Sequence, residues 1–368
     1  MHAVVLFLVG AMFQFSRANE QDPFADLAPA AKPVESVRTW KETLFKENLG
    51  FRKEILSRFD IDQDGRGASR QSAGFEVLKK FSTATATVAS LDFQGRLVRR
   101  DGEGGSGWAF EYHNLYLDFY NVLNPVLGDE ARGKNAGRFN FRIGRFYVPF
   151  GLNLQTDTHG TVLQLSNEQN FGFERDWYTG FWGSLNKHLN YDVYYLIGSG
   201  YDLKYKGQSG LGALRLSLGN KYSSEYGLEG GVSLLGGQRL HADQVTPPIE
   251  TERIGIDGRY RHAAPRGLLT FTNELSGGKD DAKSVFVQLH EAEYLRSSRR
   301  WGVATQFRRL HQDGGRADAS IIGEVSWYFR NDVGNSNSHW IKLNVERRLE
   351  RMDGRPGTSV TLQYYFYR

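Results

Sequence analysis

No cysteine occurs among the 368 residues. Its absence excludes a disulfide framework, Cys-ligated zinc, iron–sulfur clusters and covalently attached haem. Long apolar runs are missing as well: beyond the first residues none approaches the roughly 18 that a helical membrane span needs. With a mean hydropathy of −0.50, any membrane crossing has to be made by β-strands, whose alternation hides them from such an average. Charge of one sign is also lacking. Lys+Arg total 46 against 42 Asp+Glu, a net of +4, too balanced and too mixed to point to nucleic acid. Local catalytic signatures are absent too: there is no G-x-S-x-G elbow, no H-E-x-x-H and no P-loop. The 9 histidines are scattered without metal-ligand spacing. Ser338 and His339 are adjacent, so a strand would send them to opposite faces, which argues against a dyad. No enzyme is expected.

What is present begins with an export pattern. Residues 1–20, MHAVVLFLVGAMFQFSRANE, hold an apolar core from Ala3 to Phe13 and a small-x-small site at Ser16-Arg17-Ala18. This reads as a signal peptide over residues 1–18. Residues 19–73 are expected to form a periplasmic linker, with Val37, Trp40, Leu44, Leu49, Ile55, Leu56 and Phe59 at the spacing of a short helix. Asp60-Ile-Asp62-Gln-Asp64-Gly65 matches the first half of a calcium-binding loop. Asp60, Asp62 and Asp64 are the candidate ligands, although Gln71 stands where the twelfth-position glutamate belongs. A solvated acidic turn is the plainer reading, and no other cofactor is expected.

From Gly74 to the end, apolar residues keep to one parity. Phe139, Phe141 and Ile143 alternate with Arg138, Asn140 and Arg142; Ile254, Ile256 and Tyr260 with Arg253, Asp257 and Arg259; Ile341, Leu343 and Val345 with Lys342, Asn344 and Glu346. A strand turns this alternation into one apolar and one polar face. The segments run to about ten residues, the length a tilted strand needs to cross a bilayer. Tight polar links at 296–300, 262–266, 220–224 and 186–189 alternate with mostly longer ones, 149–176 the longest. The last strand, SVTLQYYFYR, puts Val360, Leu362, Tyr364 and Phe366 on one face. The expected fold is all-β: a transmembrane antiparallel β-barrel of about 14–16 strands over residues 74–368, with a short N-terminal helical periplasmic segment.

The stretch from Phe110 to Gly200 carries a more particular pattern. Gly144, Arg145, Phe146, Pro149, Phe150 and Gly151 spell G-[QR]-[FY]-x-x-PFG, and Arg175-Asp176 follows after a loop. These residues resemble the phosphate-selective porin O/P-like family of outer-membrane barrels. The resemblance covers residues 85–200 and implies a passive channel in the bacterial outer membrane. That family's basic cluster for phosphate is usually lysine-rich, and no such cluster maps onto this chain.

On the lumen-facing parity stand Arg138, Arg142, Arg215, Arg253, Arg259 and Lys342, the candidate pore-lining cations. Arginine and lysine linings favour anions. Asp118, Glu229, Asp257, Glu274, Glu324 and Glu346 share that face, however, so a salt-bridged wall around an unselective pore is the competing reading. Segment 149–176 is either an inward-folded constriction or an external loop; Pro149 ends the strand because it cannot donate to a ladder. The functional expectation is a porin for small hydrophilic solutes, anions among them, set in outer-membrane lipid, with a homotrimer among its expected assemblies. Two other readings compete: a barrel sheath housing a periplasmic electron-carrying protein, and a soluble secreted β-protein that binds carbohydrate.

Overall fold

The computed structural model describes residues 49–82, 86–102, 107–123, 137–152, 163, 166–186, 188–200, 209–219, 227–240, 247–314, 316–331, 337–350 and 357–368. The proposed export signal and the first part of the linker lie outside the described residues. Sixteen strands follow one another: β1 (Leu49–Asp62), β2 (Gly67–Ser82), β3 (Thr87–Asp101), β4 (Gly107–Phe119), β5 (Asn140–Tyr147), β6 (Arg175–Ser184), β7 (Leu189–Leu196) and β8 (Gly210–Leu218). The second half holds β9 (Gly227–Arg239), β10 (Ile249–Ala264), β11 (Gly267–Asp280), β12 (Lys283–Arg296), β13 (Trp301–Gln312), β14 (Arg316–Asn331), β15 (Ser338–Glu350) and β16 (Thr358–Tyr367). Among the described residues one short helix, α1 (Ser166–Phe171), lies between β5 and β6.

Each strand pairs antiparallel with its sequence neighbours, and β16 returns to β1, so the sheet is a closed barrel. Closure removes the unpaired edges that an open sheet would present. The seam is tight: Lys53 N donates to Arg368 O at 2.6 Å and Arg368 N to Lys53 O at 2.9 Å. The two residues beyond Phe366 belong to this seam, where the Tyr367 phenol also donates to Glu76.

The parity read from sequence sorts onto the two faces. Ile254 is 57% exposed and Leu343 46%, with Val325 and Leu362 likewise outward, while Glu54, Asp118, Arg215 and Ser233 are buried inside. Apolar out and polar in inverts the order of a soluble sheet, because the outer face is built to meet hydrocarbon. Aromatic side chains gather at the end where β1 begins and β16 finishes. Tyr294 packs against Trp301 at 5.8 Å, and His339 contacts Phe329, Tyr364 and Phe366. Among the described residues no helix is long and apolar enough to cross a membrane.

Three expectations need correction. Residues 49–59 are not helical but form most of β1, and the barrel begins at Leu49 rather than at 74. Leu56, buried beside Tyr365 inside the barrel, supplied the helical spacing; Phe51, Ile55, Phe59 and Ile61 point outward on the strand's own period. The strand total is sixteen because β1 and β2 join the fourteen legible segments, not because the 149–176 loop adds one. The turn asymmetry is also weaker than read: 281–282 and 313–315 are as tight as 265–266 and 297–300 at the other end. Their Gly- and Asp-rich flanks are strand, pairing Gly277 with Phe286 and Asp280 with Lys283.

Candidate functional site: the barrel lumen

The lumen wall is a mesh of arginine–carboxylate pairs, as a 16-strand cylinder of polar residues makes possible. Arg142 of β5 meets Asp118 of β4 with both arms at 2.7 Å. Its guanidinium is enclosed by Tyr116, Phe146 and Trp182, at 4.3, 4.5 and 5.4 Å from the ring centroids. Trp182 Nε1 also donates to Asp118, at 3.2 Å. Arg215 of β8 holds Asp257 of β10 with two arms, one at 2.8 Å, and donates to Ser233 of β9 at 3.0 Å. Lys342 of β15 sits 2.8 Å from Glu324 of β14.

Glu346 and Asp318 share the same two arginines, Arg308 and Arg348, so those four charges cancel. Three further carboxylates, Glu111, Glu229 and Asp280, each hold two arginines of their own. Glu111 meets Arg70 at 3.4 Å and Arg100 at 2.5 Å. Glu229 meets Arg259 at 3.3 Å and Arg261 at 3.0 Å, and Asp280 meets Arg239 at 3.0 Å and Arg253 at 2.9 Å. Each fork carries one positive charge more than its carboxylate cancels. Against them stand Glu291 and Glu293 on the inward parity of β12, where Gln306 donates to Glu291 at 2.9 Å.

The β5–β6 connection enters this lumen, and local chemistry explains why. Gly144, at φ +135°, lies against β4, where a β-carbon would stand 2.6 Å from Tyr116 Cα. Pro149 ends the strand, and Phe150 N turns back to Val148 O at 2.8 Å. Gly151 takes φ +63°, which a glycine adopts freely. Its N–H donates to Ser233 Oγ at 3.1 Å. Phe150 and Phe171 then pack edge to face at 5.2 Å on Tyr178, Tyr194, Leu196, Leu211, Ala213 and Leu235 of β6–β9. Further anchors come from β10 and β11. Ser166 Oγ donates to Glu274 at 2.6 Å, Ser276 Oγ to Asn170 at 2.7 Å, and Arg253 Nη2 to Asn170 O at 3.1 Å. The described parts of segment 149–176 are therefore folded inward, as the constriction reading expected; residues 153–162 lie outside the described residues.

Of the six cations expected to line the pore, Arg142, Arg215 and Lys342 are held in one-to-one pairs, and Arg253 and Arg259 belong to forks. Arg138 lies in the turn before β5 and donates to Leu185 O at 3.0 Å. Arg175 and Asp176 are clamps: Arg175 lies 3.9 Å from the Tyr147 ring centroid, and Asp176 accepts from the Gly198 and Gly200 amides at 2.6 and 3.0 Å. Asp60 is engaged by Arg58 at 2.9 Å, and Asp62 Oδ1 accepts the Asp64 and Arg66 amides in the β1–β2 turn, both at 2.9 Å. Among the described residues no three His, Asp or Glu side chains gather as metal ligands would. Sequence reading missed the lumenal set Arg70, Arg96, Arg100 and Glu111. Arg96 and Arg100 carried the right parity on β3, but Arg70 and all of β1 fell in the stretch read as linker and short helix.

No protein-family model matches the chain, and no curated protein matches it in sequence. Solved structures do. An anion-selective porin from Comamonas acidovorans aligns over 87% of this chain and 98% of its own, with a TM-score of 0.56 and 10% identity. The Salmonella typhi OmpF complex with daunomycin aligns over 87% and 97%, with a TM-score of 0.59 and 10% identity. OmpT of Vibrio cholerae aligns over 87% and 97%, with a TM-score of 0.52 and 8% identity. The fold is that of a porin barrel. Identities this low establish likeness of fold alone.

Proposed function

We propose that this chain is an outer-membrane porin through which small hydrophilic solutes diffuse passively, with a bias towards anions. The observation that carries this is a closed sixteen-stranded wall, apolar outside and charged inside, with the β5–β6 connection folded into the lumen. Water-filled barrels select by charged rings and by constriction. Support for the anion bias comes from the three forks at Glu111, Glu229 and Asp280, each with an arginine in excess. The Gly144–Gly151 turn supports kinship with the phosphate-selective porin O/P-like group. A homotrimer is the assembly we propose, as one structure of Vibrio cholerae OmpT, with a TM-score of 0.50 to this chain, is a trimer form. The inward-folded segment takes lumen space that a threaded electron carrier would need, so the sheath reading has no observation in its favour.

Reconstitution in a planar bilayer tests this directly. The expected result is a stable conductance whose reversal potential in a salt gradient is displaced to the anion side. An electrically silent protein would overturn the channel, and a displacement to the cation side would overturn the bias.

A further inference from the structure

Two adjoining turns, at the end where β1 begins and β16 finishes, carry a cluster of arginines. The β10–β11 link holds Arg266, and the β12–β13 link holds Arg299 and Arg300 just past Arg296, the last residue of β12. All four are exposed, and among the described residues none of them meets a carboxylate. Backbone bonds tie the turns together. The Arg266 carbonyl accepts from Ser297 N at 2.8 Å and from the Tyr294 phenol at 3.0 Å, while Arg299 N donates to Arg296 O at 2.7 Å. Arg299 holds φ at +52°, a left-handed conformation that glycine adopts far more readily. A cation stands where the backbone favours glycine.

The opposite rim differs. There the outward arginines of β3, β13 and β15 are each engaged: Arg99 with Asp101 at 3.0 Å, Arg309 with Glu350 at 2.8 Å, and Arg347 with Thr358 at 2.8 Å. Depth adds to the contrast. Tyr260, Tyr294, Trp301 and Trp327 are outward aromatics at the end that holds the four arginines. Such a girdle marks the level of lipid headgroups. Arg296 lies two residues beyond Tyr294, about 7 Å further along the strand. Its guanidinium is 5.7 Å from the Trp301 ring centroid, so it leans over the outer girdle and not into the lumen.

We propose that this rim, from the β10–β11 turn to the β12–β13 turn, binds the phosphate headgroup of an anionic phospholipid in the leaflet it faces. This rests on the membrane reading above, under which the end opposite the long 149–176 link faces the periplasm. Arginines clustered just outside an aromatic belt attract anionic lipid, each adding about fivefold in affinity. A guanidinium offers a phosphate two parallel donors. The tyrosine and tryptophan rings beneath give the adjoining acyl chains an apolar seat. A soluble acidic protein would approach from beyond the rim. Arg296, laid on Trp301, turns its charge sideways to the bilayer instead, and that favours lipid.

The test titrates the full-length protein in detergent with phosphatidylglycerol or phosphatidylcholine and counts bound lipid by native mass spectrometry. Wild type is expected to hold phosphatidylglycerol in preference to phosphatidylcholine. The combined Arg296→Gln, Arg299→Gln, Arg300→Gln variant should bind phosphatidylglycerol on the order of a hundredfold more weakly, with heat-modifiable migration and conductance kept. The charge-matched Arg66→Gln, Arg99→Gln, Arg347→Gln variant, at the opposite rim, should keep the preference. Arg299→Gly alone should lose about fivefold in binding, while its compact gel band converts at an equal or higher temperature without added lipid. Unchanged binding in the first triple variant overturns the proposal, and so does an equal loss from the opposite rim, which would make net charge the cause. A wild type that conducts but shows no lipid preference overturns it as well, and assigns the arginines to an acidic soluble partner. Wild-type protein without heat-modifiable migration would sink the membrane reading, and this site with it.

Discussion

The ring of Phe150 lies against the bare α-carbon of Gly255, where a β-carbon would stand 2.6 Å from Cζ. That absent methyl group gives the inward-turning segment its seat on β10. Gly255→Leu is expected to push Phe150 off the wall and loosen the constriction. Single-channel conductance should rise and become noisier while heat-modifiable migration persists. Phe150→Ala should act in the same direction, since removing a buried phenylalanine costs about 3–5 kcal/mol of local packing. Conductance unchanged in both variants would refute the constriction.

Asp118 neutralises an arginine enclosed by three aromatic rings. Asp118→Ala leaves that charge buried and unpaired, at a cost of about 3–5 kcal/mol. The temperature at which the compact gel band converts to the unfolded one should fall markedly. Removing both partners, in Asp118→Leu with Arg142→Leu, should restore most of the loss. A double variant as unstable as the single would show that the pair itself, not the orphaned charge, matters.

Selectivity should follow the forks rather than the one-to-one pairs. Arg100→Ala removes the excess charge at Glu111 and is expected to move the reversal potential towards the cation side. The Asp118→Leu, Arg142→Leu double variant removes one charge of each sign and should leave the potential in place. The difference should fade near 1 M salt, where screening acts over about 3 Å.

Orientation can be checked with neighbouring residues on β15. Leu343→Arg puts a charge at mid-depth on the outer face, at a cost of about 2–4 kcal/mol. Its folding yield in lipid vesicles should drop. Asn344→Leu, one residue on and inside, should fold near the wild-type yield, because Asn344 Nδ2 is already buried without a hydrogen bond. The opposite ranking would mean the faces are exchanged.

Much of the barrel was legible from residue order. Ile254–Ile256, Ile341–Leu343–Val345 and Val360–Leu362 face outward as their parity demanded, because strand geometry ties neighbouring side chains to opposite faces whatever the rest of the chain does. Pro149 marked a strand end for a similarly local reason. Other features depended on which strands adjoin. Leu56 made β1 resemble a helix until its pairing with β16 and β2 supplied the competing hydrogen bonds. Leu211, Ala213 and Leu235 break the polar-inside rule, and only the seated Phe150 and Phe171 account for them. Whether a lumenal arginine is free or cancelled was likewise undecidable along the chain. Arg142 and Asp118 are 24 residues apart and Arg215 and Asp257 are 42 apart. Sequence determined the two faces of each strand. Barrel closure and register, which bring distant strands within hydrogen-bond reach, decided which charges meet and where Phe150 and Phe171 are seated.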